Sequence, residues 1–479
     1  MVSRVAVTLV SVVVACSAWL IGRYVLLKAP ENRFLSADKD VPTASSPPKA
    51  GLLTLAWVDP VKVGHIREVR FSEGEVRQMK TLSVRPALFE IENFLSPDEC
   101  DDIIFMATTQ GLETSRTLID GALRLNESTL HDMFHNPDKS FEQADANEDG
   151  VLDKSELSLG ISHLGDILLT GKDLDDLIKD LELDADQDGV LTRQEYRTLV
   201  VDGKLQLIIN YTADIKEKAP RMRTRLSNTA FLDPLEHVGH RKLFDNLRQR
   251  IQDVTGLQKD IIWTSENLQV LRYDKDGHYH CHYDSEDENK HPDIPCCHYS
   301  NHEDDEDCLP CRYMTFFYYL NEPEEGGETA FPIADDQIDA PERMLREDQH
   351  LCDLSRYCNQ SRIRYKPKQG TALFWYNHHR DEETGWLGDV DKMSYHGGCD
   401  VTKGTKWAAN SWINVGKSRE HDIEAWESYK VFVEDYDKLS NKTDEKTDVD
   451  ANPGPGAVAE NAERASEVDE RIETAGAGN

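Results

Sequence analysis

The sequence predicts an α+β fold: a double-stranded β-helix (jelly-roll) domain with supporting helices, an inserted α-helical pair of acidic loops, and an N-terminal transmembrane helix. Three observations carry this. Short β-rich runs separated by Gly, Pro and acidic turns fill the second half of the chain. Two acidic 12-residue segments lie between residues 145 and 195. An unbroken apolar run opens the chain.

Residues 5–27 are the membrane element. The run VAVTLVSVVVACSAWLI is flanked by Arg4, Arg23 and Lys28. An uncleaved signal anchor and a cleavable signal peptide, with small residues near Cys16-Ser17-Ala18, both fit. The length favours the anchor. The flanking charges do not set its orientation. Either reading sends the chain into the secretory pathway. Four N-x-S/T sequons (Asn126, Asn210, Asn359, Asn441) agree with that and with a glycoprotein. So do nine cysteines after the apolar run, read as mainly disulfides in an oxidising lumen.

Residues 36–50 (SADKDVPTASSPPKA) are a flexible stalk, and ordered sequence begins near Leu53. Residues 51–127 form the N-terminal part of the β domain. Within them Ser96-Pro97-Asp98-Glu99 is a helix start, with Ser96 as N-cap and Glu99 closing a capping box. Residues 128–203 hold the loop pair, and residues 204–418 the rest of the β domain. Its strands include Leu268 to Tyr273, Tyr313 to Leu320, Thr371 to Tyr376 and Lys406 to Val415. Residues 437–479 are acidic and poor in apolar residues, a disordered tail. The whole chain has 89 acidic against 54 basic residues, a net charge of −35. That excludes a nucleic-acid binder, which needs clustered Lys and Arg. Oligomeric state stays open.

The acidic segments have the EF-hand pattern. Asp145, Asn147, Asp149, Val151, Asp153 and Glu156 fill positions 1, 3, 5, 7, 9 and 12 of the first loop, with Gly150 at the turn. Asp184, Asp186, Asp188, Val190, Thr192 and Glu195 fill the same positions of the second, with Gly189. Hard oxygen donors at these positions wrap Ca²⁺, the last Glu chelates with two oxygens, and position 7 supplies only a backbone carbonyl. Leu152 and Leu191, at position 8, belong in the short β contact between paired loops. An acidic turn that binds nothing would not fill every ligand position. Lumenal Ca²⁺ is high, which favours a structural role over a sensing one.

The chemistry lies in His282-Tyr283-Asp284, with His396 more than a hundred residues later. Two imidazoles and one carboxylate hold one face of Fe(II) and leave positions for a co-substrate and O₂. Strand alternation puts His282 and Asp284 on one face, with Cys281 and Tyr283 on the other. Five more histidines (His278, His280, His291, His298, His302) crowd the region and are read as surface residues. Lys406 follows His396 by ten residues and is flanked by aromatic and small residues. A lysine among buried positions needs an anionic partner, and the C5 carboxylate of 2-oxoglutarate is one. Tyr319 is placed to add a hydrogen bond to it, or is a plain core aromatic.

The order of motifs runs Leu268 to Tyr273, Gly277-His-Tyr279, His282-x-Asp284, Tyr313-Met-Thr315 to Asn321, Gly326-Gly-Glu-Thr329-Ala-Phe331-Pro332, Lys366 to Trp375, His396-Gly-Gly and Gly404-Thr-Lys406-Trp407. It resembles the 2-oxoglutarate- and Fe(II)-dependent prolyl 4-hydroxylases over about residues 50–418. The apolar N-terminus and the loop pair ahead of the iron motif point to a membrane-anchored branch of that dioxygenase family. The resemblance implies that His282, Asp284 and His396 are catalytic and bind iron. It implies that Lys406 and Tyr319 hold 2-oxoglutarate, that Tyr273 lines its pocket and that Trp412 walls the substrate side. It implies oxidation of peptidyl proline to 4-hydroxyproline with O₂ and 2-oxoglutarate, releasing succinate and CO₂, with L-ascorbate rescuing the iron. It further implies a single-pass type II protein of the endoplasmic reticulum membrane with a lumenal catalytic domain. The implied substrate is a proline-containing protein, the hypoxia-inducible factor α subunit, an awkward match to the lumen.

The chain departs from the family at Ser285 to Cys311, an acidic insertion with Cys296-Cys297 and Cys308-x-x-Cys311. Disulfides between these pairs are favoured over a Zn²⁺ site. Three alternatives stand beside the leading reading: a hydroxylase of collagen-like or other secreted chains, a lysyl or other side-chain hydroxylase, and a lumenal Ca²⁺ sensor with an inactive oxygenase fold.

Overall fold

The computed structural model describes residues 53–115, 136–145, 147–285, 311–346 and 349–427. These all belong to one compact unit that begins at Leu53. The apolar run at 5–27, the stalk, the tail, the cysteines at 296, 297 and 308, and the histidines at 291, 298 and 302 lie outside the described residues. No helix among the described residues is long and apolar enough to cross a membrane.

Two antiparallel sheets build the β domain. The larger has nine strands in the order Ile66–Arg70, Val76–Ser83, Leu88–Ile91, Ala372–Tyr376, Cys311–Tyr319, Lys406–Val415, Leu268–Tyr273, Asn228–Leu232 and Glu113–Thr114. The smaller has five: Ile363–Tyr365, Thr329–Phe331, His396–Gly398, His278–His282 and Arg225–Leu226. All four strands expected from the β-rich runs are present within two residues. Phe316-Phe317-Tyr318-Tyr319 reads as a continuous apolar run because both faces of its strand are covered. Phe316 and Tyr318 pack under the helices, while Phe317 and Tyr319 point between the sheets.

The helices Pro97–Gln110 and Arg241–Thr255 cover the outer face of the large sheet through Ile103, Met106, Phe244, Leu247 and Ile251. Pro97–Gln110 starts as the sequence requires. The Ser96 hydroxyl accepts from the Glu99 N–H at 3.1 Å, and Glu99 accepts from the Ser96 N–H at 2.8 Å. Arg250, from the second helix, is buried and bonds both Glu99 and Glu73.

The loop pair forms its own small core of Phe141, Leu152, Ile161, Leu177, Leu191 and Leu199. Leu152 pairs with Leu191 in the expected two-residue β contact. Leu205 and Ile208 belong to the same core, so this module continues through helix Lys204–Lys218, past the expected end at residue 203.

Candidate metal and co-substrate site

Strands His278–His282 and His396–Gly398 lie side by side, and His282 is paired with His396 across them. Their ring centroids are 4.5 Å apart. Asp284 sits just past the strand end. Its Oδ1 is 3.6 Å from His282 Nε2 and its Oδ2 is 3.7 Å from His396 Nε2. One donor atom from each of the three lies within 4.8 Å of the others. Asp284 and His396 are buried and His282 is partly so.

The donor set is prepared for a cation. His282 Nδ1–H donates to the His280 carbonyl at 3.0 Å, and His396 Nδ1–H to the Ser394 carbonyl at 2.8 Å. A carbonyl can only accept, so in the neutral form of each ring Nε2 carries the lone pair. Burial pushes His396 down to about 4, which keeps it neutral. Burial alone would raise Asp284, but positive charge at His396, His282 and Arg312 holds it well below the usual carboxylate range, and a bound cation would supply such charge while the imidazoles stay neutral. Neutral imidazoles and an ionised carboxylate are the states a metal requires. These residues therefore fit Fe(II).

Strict strand alternation does not survive. A register shift between Tyr279 and His282 puts those two rings in a stack, centroids 3.6 Å apart. His278 and His280 turn the other way and are buried, not surface residues as expected. The His278 ring meets the carbonyls of Asp276 and Arg223, and the His280 ring that of Arg221. The extra residue of a bulge reverses the facing of everything before it, which a motif read by alternation cannot show. Cys281 is disulfide-bonded to Cys352 and Cys358 to Cys399, tying both histidine strands to the segment between residues 349 and 360. Cys311 is also disulfide-bonded.

Lys406 is 2 % exposed. Directly across the strand is Tyr273, and Tyr319 faces Ala408 two residues on. The ammonium lies 5.3 Å from the Tyr273 and Phe317 ring centroids and 5.6 Å from Tyr319. Among the described residues it has no hydrogen bond or ion pair. Burial pushes it down to about 7. Its stem packs by Gly327, where a side chain would meet Lys406 Cδ at 3.2 Å. Tyr319 is a donor, but to the Thr329 hydroxyl, at 2.7 Å. Thr329 lies in the Gly326 to Pro332 motif, where the sequence alone assigns it no role. Two residues on, the Phe331 ring stacks on His396. Trp412 stacks on the Arg312 guanidinium at 3.4 Å, and Glu266 holds that guanidinium by two bonds of 2.8 Å.

In the acidic loops, Asp184, Asp186 and Asp188 bring carboxylate oxygens within 4.8 Å of one another. In the first loop, Asp145 accepts from the N–H groups of Asp149 and Gly150, and Glu156 from those of Asn147 and Asp153.

A buried two-histidine, one-carboxylate cluster has the donor set that non-haem Fe(II) oxygenases use, and a buried lysine lies on the adjoining sheet. Residues 268–414 match the family model of the 2OG-Fe(II) oxygenase superfamily, and residues 138–160 and 181–201 that of the EF hand. The Homo sapiens transmembrane prolyl 4-hydroxylase is 37% identical over 375 residues, covering 78% of this chain and 72% of that protein. The Mus musculus protein of the same name is 37% identical over 378 residues, with the same coverage. The chain belongs to the prolyl 4-hydroxylase family of 2-oxoglutarate- and Fe(II)-dependent oxygenases. A solved structure of the viral collagen prolyl hydroxylase from Paramecium Bursaria Chlorella virus-1, as its 2OG complex, is 26% identical. It covers 43% of this chain and 87% of that one, at a TM-score of 0.26, and adds nothing to the fold described above.

Proposed function

We propose that this protein hydroxylates C4 of a peptidyl proline while decarboxylating 2-oxoglutarate. One oxygen atom of O₂ becomes the hydroxyl, the other enters succinate, and CO₂ leaves. The supporting observation is the buried His282, Asp284 and His396 cluster with Lys406 beside it. His282, Asp284 and His396 hold Fe(II), which when bound supplies the activation of O₂. Lys406 neutralises the C5 carboxylate of 2-oxoglutarate. Tyr319 orients the Thr329 hydroxyl as a neutral donor beside it, and Tyr273 walls the pocket. Aromatic rings around the lysine keep water out, which strengthens the ion pair. Trp412, braced by Arg312 and Glu266, walls the substrate side. Ascorbate maintains the iron. The loops at 145–156 and 184–195 bind Ca²⁺ as structural staples, supported by their complete donor pattern.

We place the catalytic unit in the lumen of the endoplasmic reticulum, held to the membrane in type II orientation by residues 5–27. Support comes from the apolar run and from the disulfides Cys281–Cys352 and Cys358–Cys399, which suit an oxidising compartment. That compartment favours secreted or lumenal proline-containing chains as substrates over the hypoxia-inducible factor α subunit. The test is mass spectrometry of proline peptides from both classes after incubation with enzyme, Fe(II), 2-oxoglutarate and ascorbate. One added oxygen on proline, released as 4-hydroxyproline on hydrolysis, is expected. Oxidation of lysine instead would overturn the assignment.

A further inference from the structure

We propose that Trp375, Asn377 and Thr315 form a one-way hydrogen-bond relay that fixes the Asp284 carboxylate and so sets metal affinity. The proposal rests on the iron-site reading above.

The strands place the three residues together. Thr315 pairs with Trp375 across adjacent strands of the large sheet. Asn377 lies two residues beyond Trp375, on the same face. Trp375 Nε1–H donates to Asn377 Oδ1 at 2.9 Å, Asn377 Nδ2 donates to Thr315 Oγ1 at 2.9 Å, and Thr315 Oγ1 donates to Asp284 Oδ2 at 2.7 Å. Trp375 is 1% exposed, and Asn377 and Thr315 are 0% exposed, so water does not compete.

The direction of the chain follows from chemistry. An indole N–H can only donate, so it selects the amide orientation of Asn377 in which Oδ1 faces Trp375. That orientation presents Nδ2 to Thr315. The Thr315 oxygen then accepts, and its single hydrogen is left for Asp284. An ionised carboxylate can only accept, which completes the sequence without a mismatched group. The result is a carboxylate held at one oxygen, between two imidazoles whose own tautomers are fixed by backbone carbonyls. Held in this way, Asp284 neither swings away from the cation nor closes on it with both oxygens, and coordination positions stay open for the co-substrate. Thr315, Asn377 and Trp375 are positioning residues: they act through Asp284.

The test is Co(II) titration of the purified protein, read by its d–d absorption, with melting temperature as the check on folding. Thr315→Val should weaken Co(II) binding about 10- to 100-fold, as loss of an outer partner of a metal ligand typically does, and should shift the d–d bands. Thr315→Ser should restore both. Asn377→Leu should also weaken binding, and the double variant Thr315→Val/Asn377→Leu should bind no more weakly than Thr315→Val alone, because links of one chain are not additive. The two variants strand different buried donors, the Asn377 N–H in Thr315→Val and the Trp375 indole N–H in the double variant, so each melting temperature is read before its affinity. Unchanged affinity and spectrum in folded Thr315→Val or in the double variant overturns the relay. Losses that multiply in the double variant overturn it too. Failure of the wild-type protein to bind Co(II) at all would instead remove the iron-site reading on which the relay depends.

Discussion

Co-substrate binding should take up a proton at Lys406, and the size of that uptake follows from the structure. The side chain is 2 % exposed, and its ammonium has three aromatic rings around it but no acceptor among the described residues. Burial without an acceptor disfavours the charged form. It brings the group to about 7, against about 10.4 for a lysine in water. The difference is roughly 5 kcal/mol of preference for the neutral amine, at about 1.4 kcal/mol per unit. Arrival of the C5 carboxylate restores the charged form. The sign is then set. Below pH 7 the lysine already carries its proton, and binding takes up little. Above it, each molecule bound must bring one. Uptake should be about 0.1 proton at pH 6 and about 0.9 at pH 8, and affinity should fall about tenfold per pH unit above 7. Calorimetry of 2-oxoglutarate binding to Mn(II)-loaded protein, in buffers of different ionisation enthalpy, measures this directly. Lys406→Arg, always protonated, should show no uptake at either pH. Equal uptake by the wild-type protein at pH 6 and pH 8 would show that Lys406 does not change protonation on binding.

Two further outcomes concern the scaffold. Ca²⁺ at a hundredfold excess over its dissociation constant should stabilise the protein by about 2.7 kcal/mol, seen as a chelator-reversible rise in melting temperature. Glu156→Gln with Glu195→Gln should remove that rise, and its persistence would show that the loops are not the sites. Arg250→Met should lower the melting temperature by the equivalent of about 1–3 kcal/mol, because it leaves the partly buried Glu99 without its cation and the Phe94 carbonyl without its donor. A change within experimental error would mean that the pair contributes nothing net.

Much of this architecture was legible in the sequence, for physical reasons that differ from element to element. The loop pair was legible because its donors are consecutive in the chain, and the Leu152 to Leu191 contact follows from position alone. The capping box at Ser96 is equally local. His282, Asp284 and His396 were found because their spacing is unusual. The rest depended on contacts that spacing does not reveal. The bulge before His282 reversed the facing of His278 and His280, and no composition signal marks it. Thr315 and Asn377 are 62 residues apart and meet only because their strands are neighbours. Tyr319, expected either to bond the co-substrate carboxylate or to be a plain core aromatic, donates to the Thr329 hydroxyl on another strand, a contact that spacing does not reveal. The strands Ile66–Arg70, Val76–Ser83 and Leu88–Ile91 escaped notice because polar residues interrupt them, as suits strands towards a sheet edge.

The central claim is that His282, Asp284 and His396 hold the iron that couples 2-oxoglutarate to oxidation. Its most direct test is release of CO₂ from carboxyl-labelled 2-oxoglutarate by wild-type protein and by His282→Ala, with Fe(II), ascorbate and a proline peptide present. Succinate and hydroxylated peptide are expected in equal amounts from the wild-type protein and neither from His282→Ala, while Ca²⁺ binding is unchanged. Turnover that persists in folded His282→Ala would contradict the claim.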